Sequence, residues 1–386
     1  MPVVEREERI VVSPGPVHVP ASRWEEIPPA HHRTGMFREI VLETESMIKE
    51  LLGTGSPVYM MTSSGTGAME AAMANVTVPG SRVLVVTGGK FGDRWAEIGD
   101  SFGCRTEVMR FSPGQAVDID SVISKVKDVR PSYVAVTHVE SSTGLLLPLK
   151  ELMLALPEPR PITIVDAIAS VGVEELEMDA WGIDVVTGAC QKAFATPPGV
   201  SYLCVGTRAF RFIEDHPRGL YYFSLRRYEQ GRGEGDTPFT PAIQTIQMMH
   251  RSLTGMKGMG WDRVRERFAK TAKVFLTAAQ HISLRSLAEN PSSAVQALLL
   301  PERCRGKGIV ERLASDAGII AADGQGPLKG KIVRTGFLGL YGGKKIQRIV
   351  TSLGNLLINM GCEVDLDAAS RSIRELSDQT DLFGSL

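Results

Sequence analysis

The sequence predicts an α/β fold: a mostly parallel, doubly wound sheet in a large domain, with a smaller α+β domain at the C-terminal end. Three observations predict it. Short, β-rich apolar runs recur between about residues 57 and 206. Helix-like stretches separate several of them, and such alternation argues for a sheet with helices on both faces. Beyond residue 256 the alternation gives way to mixed helices and strands. The domains expected are therefore 21–256 and 257–386, with the N-terminal segment 1–20 packing near the second.

The runs at 83–86, 133–137, 162–165, 185–187 and 200–205 suit strands buried on both faces of the sheet. Residues 118–129 read as one of the intervening helices. Residues 206–245 are rich in Arg, Gly, Tyr and Pro with weak periodicity, which reads as a long functional loop region. A Met- and aliphatic-rich helix is expected over 241–256 and another over 261–286. A strand is expected over 332–337. The polar end from about 377 is expected to fray.

Composition excludes several classes. Of 386 residues, 43% are hydrophobic and 23% charged, and the formal net charge of -1 points to neither a nucleic-acid surface nor a polybasic membrane patch. The five cysteines are odd in number and none forms a Cys-x-x-Cys pair, so a disulfide framework is not expected and a reducing cytosol is the natural home. The N-terminus carries charge where a secretory signal needs an apolar core. No apolar run approaches the roughly 20 residues that span a bilayer. A cytoplasmic protein is expected.

Four motifs carry candidate chemistry. Thr62-Ser63-Ser64-Gly65-Thr66-Gly67 precedes an Ala-rich helix. Glycines let backbone N–H groups approach an anion, and a helix N-terminus adds partial positive charge. The same residues also read as an ordinary capped helix start. It is not a dinucleotide fingerprint, because Glu70 stands where the third glycine belongs. Asp166 ends a strand run, where open α/β sheets bind ligands, although a lone Asp there is more often a cap. Lys192 lies between two strand signals among small and apolar neighbours. Desolvation there lowers a lysine's pKa and frees the amine as nucleophile or base, whereas a snorkelling surface lysine is the bland alternative. Arg334 interrupts a strand, and its fork suits a carboxylate; the alternative is an edge arginine in solvent. No metal constellation emerges, since His-Glu-x-x-His and zinc-type Cys–His spacing are both missing.

In order and spacing, these motifs resemble the class V, fold type I enzymes that use pyridoxal 5′-phosphate (PLP), in particular the alanine–glyoxylate and serine–pyruvate aminotransferase branch. The resemblance runs from about Val12-Ser13-Pro14-Gly15-Pro16 to about Gly336. Its most specific pieces are Thr137-His138-Val139-Glu140-Ser141-Ser142-Thr143-Gly144, Val165-Asp166, and Gln191-Lys192 with Pro197-Pro198-Gly199. It implies that Lys192 holds the cofactor as an imine and then moves a proton between the substrate Cα and the cofactor. Asp166 would pair with the pyridine nitrogen. Gly65, Thr66 and Gly67 match the phosphate loop, and Gln191 matches a further phosphate contact. Ser141 matches a residue near the ring hydroxyl. Phe91 stands where the branch often stacks a Trp on the ring. Arg334 matches the arginine for the substrate α-carboxylate. Thr240 matches a threonine that reaches the phosphate of the neighbouring subunit, which implies a homodimer with shared sites. His32-Arg33 matches a pair that contacts substrate phosphate in phosphoserine aminotransferases, so it implies either a second anion site or a structural loop.

The resemblance implies transamination between alanine or serine and glyoxylate or pyruvate. Phosphoserine and aspartate remain alternative donors. A cysteine desulfurase is a further alternative, since Cys304 lies between the lysine and the arginine, but those enzymes have His where this chain has Gln191. A non-catalytic PLP-fold protein is another, opposed by the joint presence of Lys192, Asp166 and Arg334.

Overall fold

The computed structural model describes residues 9–19, 27–338 and 342–374. Its main sheet contains, in chain order, β1 (Val58–Met61), β2 (Arg82–Thr87), β3 (Arg105–Arg110), β4 (Tyr133–Thr137), β5 (Ile162–Asp166), β6 (Val185–Ala189) and β7 (Ser201–Val205). Their spatial order is β1-β7-β6-β5-β4-β2-β3. Pairing is parallel from β3 through β6, and β7 runs antiparallel to both its neighbours, β6 and β1.

Helices cover both faces, and the strand pleat shows why. Along β2, Leu84 and Val86 enter one apolar cluster with Phe37 and Ile48 of helix α1 (Gly35–Leu51). Val83 and Val85 enter the opposite cluster with Ala68 and Met69 of α2 (Gly65–Val76) and Trp95 of α3 (Lys90–Ser101). Alternate residues thus face different layers, and a strand covered on both sides needs apolar side chains throughout. β4, β6 and β7 bury every residue. Edge strand β3 is the opposite case. Arg105, Glu107 and Arg110 are exposed, so this Arg-Thr-Glu-Val-Met-Arg segment gives no apolar run in the sequence.

After α4 (Ile119–Val129) and α5 (Leu149–Ala155), the segment 206–245 departs from expectation. It is not a continuous loop: it holds α6 (Thr207–Asp215) and α7 (Leu225–Arg232). Each buries only two residues, Ala209 with Ile213 and Leu225 with Tyr228, so the apolar stripe is too narrow to dominate a charged sequence. Helix α8 (Ile243–Met259) occupies the Met-rich stretch. The helix expected over 261–286 ends earlier: α9 is Trp261–His281. Ser283 then takes a left-handed φ of 59°, and Arg285–Ser286 is a strand. The end beyond 374, including the part expected to fray, lies outside the described residues.

A third apolar cluster gathers Phe275 of α9 with Leu298, Phe337, Ile349 and Leu357. Its four-stranded antiparallel sheet runs Arg285–Ser286, Val295–Leu299, Ile332–Gly336, Ala322–Asp323. The N-terminal strand Ile10–Val11 joins this region, pairing in parallel with Ile319–Ile320. Gly336 N–H donates to the Val12 carbonyl at 2.7 Å. The chain then crosses from that cluster to the end of the main sheet.

Candidate active site

The carboxyl ends of β1, β2, β4, β5 and β6 surround one cavity of ≈ 200 Å³. Open α/β sheets bind ligands at this edge, because loops there are free to vary while the strands hold them in place.

Asp166 is the last residue of β5 and faces the cavity. Burial pushes its carboxyl up to about 7, against the lowering effect of the Ile168 N–H, which donates to Oδ1 at 2.9 Å. Lys192 lies just beyond β6, and its Nζ donates to the Pro14 carbonyl at 2.6 Å. Burial lowers the amine to about 8, with the Asp166 charge opposing and the Arg334 charge assisting. The N-terminal segment can close on this lysine because position 15 has no side chain. Gly15 sits at φ +127°, and a Cβ there would stand 2.8 Å from Lys192 Cδ.

At another wall, α2 begins at Gly65, and its cap residue Ser64 makes no side-chain hydrogen bond. Gly65 and Thr66 line the cavity, so the first-turn N–H groups of an uncapped helix lie at it. A Cβ at Gly65 would meet Ile168 Cδ1 at 2.6 Å, so a larger residue there would have to displace the Ile168 side chain at the cavity wall.

Phe91, in the first turn of α3, forms a further wall. Its position is set by Glu140, whose Oε2 accepts from the N–H groups of Phe91 (3.0 Å) and Gly92 (2.9 Å). The other oxygen takes Ser142 N–H and Oγ–H. Burial raises the Glu140 pKa, and these hydrogen bonds offset part of the rise. Ser141 lines the cavity, while its carbonyl accepts from Arg334 Nη1 at 3.0 Å. Arg334 is buried one layer back, its Nε donating to the Asp323 carbonyl at 2.9 Å, and burial lowers its pKa.

The structure therefore gathers Gly65, Thr66, Phe91, Ser141, Asp166, Gln191 and Lys192 at one cavity. Gly67 is in the same helical turn but packs against Ser63 and Phe223. Thr240, His32 and Arg33 do not line the cavity. Arg33 forms an ion pair with Asp236 and donates to the Thr237 carbonyl at 3.2 Å, so the 31–33 and 236–240 segments lie together elsewhere. Cys304 is buried in the third cluster, with its Sγ 3.3 Å from Cys362 Sγ, and does not line the cavity where a desulfurase would need it.

Three groups at the cavity or its supports are additional to those expected. Arg94 lines it, three residues after Phe91 and hence on the same face of α3. That spacing was a readable signal. Glu140 and His138 are buried supports. His138 bonds Ser170 Oγ at 3.0 Å, and burial lowers its pKa to about 3, which keeps the imidazole neutral. Both lie in the 137–144 motif, but nothing in that motif gives either one a role as a support.

The family model "Aminotransferase class-V" matches residues 26–306. The chain is a class-V aminotransferase. It is 32% identical to the soluble hydrogenase 42 kDa subunit of Anabaena cylindrica, over 92% of this chain and 95% of that one. It is 28% identical to the serine–glyoxylate aminotransferase of Hyphomicrobium methylovorum, over 85% and 84%. Among solved structures, an aspartate aminotransferase of subgroup IV from Thermus thermophilus superposes with a TM-score of 0.84 at 30% identity, covering 91% of this chain and 99% of that one. The fold is that of the fold type I PLP aminotransferases. Among the described residues no helix is long and apolar enough to cross a membrane, and no group of three or more His, Cys, Asp or Glu could hold a metal ion. All five cysteines are free thiols.

Class-V aminotransferases imply PLP as the cofactor, and the residues of this site fit it. A buried carboxylate, a partly deprotonated lysine and an uncapped helix N-terminus face one cavity. They complement, respectively, a protonated ring nitrogen, an aldehyde and a phosphate.

Proposed function

We propose that this class-V aminotransferase transfers the amino group between a small amino acid, alanine or serine, and a small 2-oxo acid, glyoxylate or pyruvate, using PLP. The observation that carries the proposal is the opening of Lys192 and Asp166 into one cavity bounded by the bare N-terminus of α2. Bound there, PLP supplies an electron-accepting ring conjugated to the transferred nitrogen.

The protein's own residues supply the rest. Lys192, with its amine lowered to about 8, has a far larger neutral fraction near neutral pH than a free lysine, so it can attack a carbonyl carbon and take a proton from the substrate Cα. Asp166, as carboxylate, holds a proton on the ring nitrogen. The N–H groups of Gly65 and Thr66 and the side chain of Gln191 would hold the phosphate. Phe91 would cover one face of the ring and shed water from it. Arg334 would take the substrate carboxylate, which requires its fork to turn from the Ser141 and Asp323 carbonyls. The small donors and acceptors are favoured by the serine–glyoxylate name of one relative. The arginine that lines the cavity beside Thr66 is reserved in this reading for the cofactor.

The test is spectroscopic. Purified protein loaded with PLP is mixed with alanine, serine, aspartate or phosphoserine in turn, and the visible cofactor band is followed. Alanine or serine should bleach it, and glyoxylate or pyruvate should restore it. Bleaching by aspartate or phosphoserine alone would replace the donor assignment. Protein that binds no PLP would remove the whole reading.

A further inference from the structure

Arg94 stands in the second turn of α3 and lines the cavity beside Thr66. Its Nη1 donates to Thr66 Oγ1 at 2.9 Å. Its Cζ lies over the Phe91 ring, 4.9 Å from the centroid. Among the described residues no carboxylate forms an ion pair with it, and the guanidinium bonds Thr66 instead.

The bond to Thr66 fixes more than a distance. Thr66 is the second residue of α2, so the carbonyl four residues back, that of Thr62, lies before the helix begins. That carbonyl accepts instead from Tyr222 Oη–H at 3.3 Å. A guanidinium has donors only, so Thr66 Oγ1 must be the acceptor, and its own proton is left to point elsewhere. The space beside it is the cavity, at the uncapped end of α2. We propose that Arg94 is a positioning residue for the anionic end of the cofactor: it turns the Thr66 hydroxyl proton toward a bound phosphate and ties the phosphate loop to the Phe91 wall. This rests on the PLP reading above and deepens it.

Two physical consequences follow from the one contact pair. A phosphate monoester carries about -1.5 to -2 charge near neutral pH, so an unpaired cation one residue away stabilises it in addition to the helix end. A cation on the Phe91 ring face also limits that ring's rotation, so filling the phosphate end and ordering the ring wall become linked. The same charge lowers the Asp166 pKa, against the effect of burial, and so favours the ionised carboxylate.

Binding of PLP and of pyridoxal, which lacks the phosphate, separates this role from a merely structural one. Dissociation constants would be measured by absorbance titration on cofactor-stripped protein for wild type, Arg94→Gln, Arg94→Lys, Thr66→Ala and the Arg94→Gln/Thr66→Ala double variant. Arg94→Gln should cut the preference for PLP over pyridoxal by roughly tenfold to a hundredfold, the range for a hydrogen bond to a charged group. Arg94→Lys should keep part of that preference, since the charge stays and the fork is lost. The two losses should be clearly less than additive in the double variant, because part of the effect of Arg94 is carried by the Thr66 hydroxyl. Equal weakening of PLP and pyridoxal, additive losses in the double variant, or a Lys variant indistinguishable from wild type would each overturn the proposal. If Arg94→Gln does not fold, the Lys variant and Thr66→Ala alone still decide it: a full PLP preference in either sinks it. Wild-type protein that binds neither compound would instead overturn the cofactor reading on which the proposal stands.

Discussion

At the residue scale, the site depends on two buried ionisable groups with oppositely moved pKa values. Asp166 is raised from 3.8 to about 7 and Lys192 is lowered from 10.5 to about 8, each chiefly by burial. Between pH 4 and 7 the folded, cofactor-free protein binds the Asp166 proton that the unfolded chain has released. Stability therefore falls as pH rises through that window. Between pH 8 and 10.5 the unfolded chain holds the Lys192 proton that the folded protein has lost, so stability rises again. Asp166→Asn removes the first slope. Its melting temperature, measured without cofactor, should gain on wild type from pH 4 to 7 and then hold level. A gap that does not change with pH would mean that the carboxyl is not desolvated. In turnover the same site should behave in the opposite way. Losing a buried charge partner costs about 3–5 kcal/mol, which is roughly 10²- to 10⁴-fold in rate if it acts on the barrier. Near wild-type turnover of Asp166→Ala would contradict its assigned role.

The two arginine assignments separate in the same way. Arg334→Lys should raise KM for every donor, because a lysine cannot span a carboxylate bidentately. Arg33 is half-exposed and paired with Asp236. If its segment serves the partner's site together with Thr240, Arg33→Ala should weaken only donors with a second anion, as measured by comparing alanine with phosphoserine. Equal losses for both donors would make Arg33 structural.

At the scale of elements, β6 and β7 set the floor beneath Lys192. Gly188 pairs with Tyr202, and a Cβ there would lie 2.1 Å from the Tyr202 ring. That ring is fully buried and stacked with Phe194, at 6.3 Å between centroids, in the loop that carries Lys192. Gly188→Ala should destabilise by about 1–3 kcal/mol or more through overpacking, and should loosen PLP as well. Gly219→Ala meets nothing within 4 Å and serves as the control. Equal melting temperatures for the two variants would show that the β6–β7 packing yields more easily than this geometry allows. The elements most legible in sequence were those buried on both faces, such as β4 and β7. Edge strand β3 and helices α6 and α7 were not, because few of their side chains are apolar and buried, and local periodicity records only burial.

At the scale of the whole molecule, Thr240 does not reach the cavity of its own chain. It follows Phe239, which packs with Tyr221 at 5.7 Å and stacks with Tyr222 at 4.9 Å. Tyr221 remains 67% exposed, and Tyr222 Oη–H donates to the Thr62 carbonyl in the loop before α2. An exposed aromatic group beside the phosphate loop is the composition of an interface core. We therefore expect a homodimer in which Thr240 serves the partner's site. Lys192→Ala and Thr240→Glu subunits, mixed and re-associated, should recover activity approaching half that of wild type per mixed dimer, because one site then holds both native residues. Dilution to monomer should release PLP. Mixed dimers without activity, or a monomer that keeps both PLP and turnover, would remove the shared site.

The sequence by itself determined the α/β fold and the family, because both rest on local pattern: apolar runs of strand length, a glycine-rich turn before a helix, and a lysine before Pro197-Pro198-Gly199. It also marked seven residues that meet at the cavity. Tertiary structure alone decided what supports them. Pro14 and Lys192, Glu140 and Phe91, and Arg334 and Ser141 are each joined across dozens of residues or more. Such contacts depend on which strand ends become neighbours in the sheet. Strand order follows from packing of the whole chain, and no window of sequence records it.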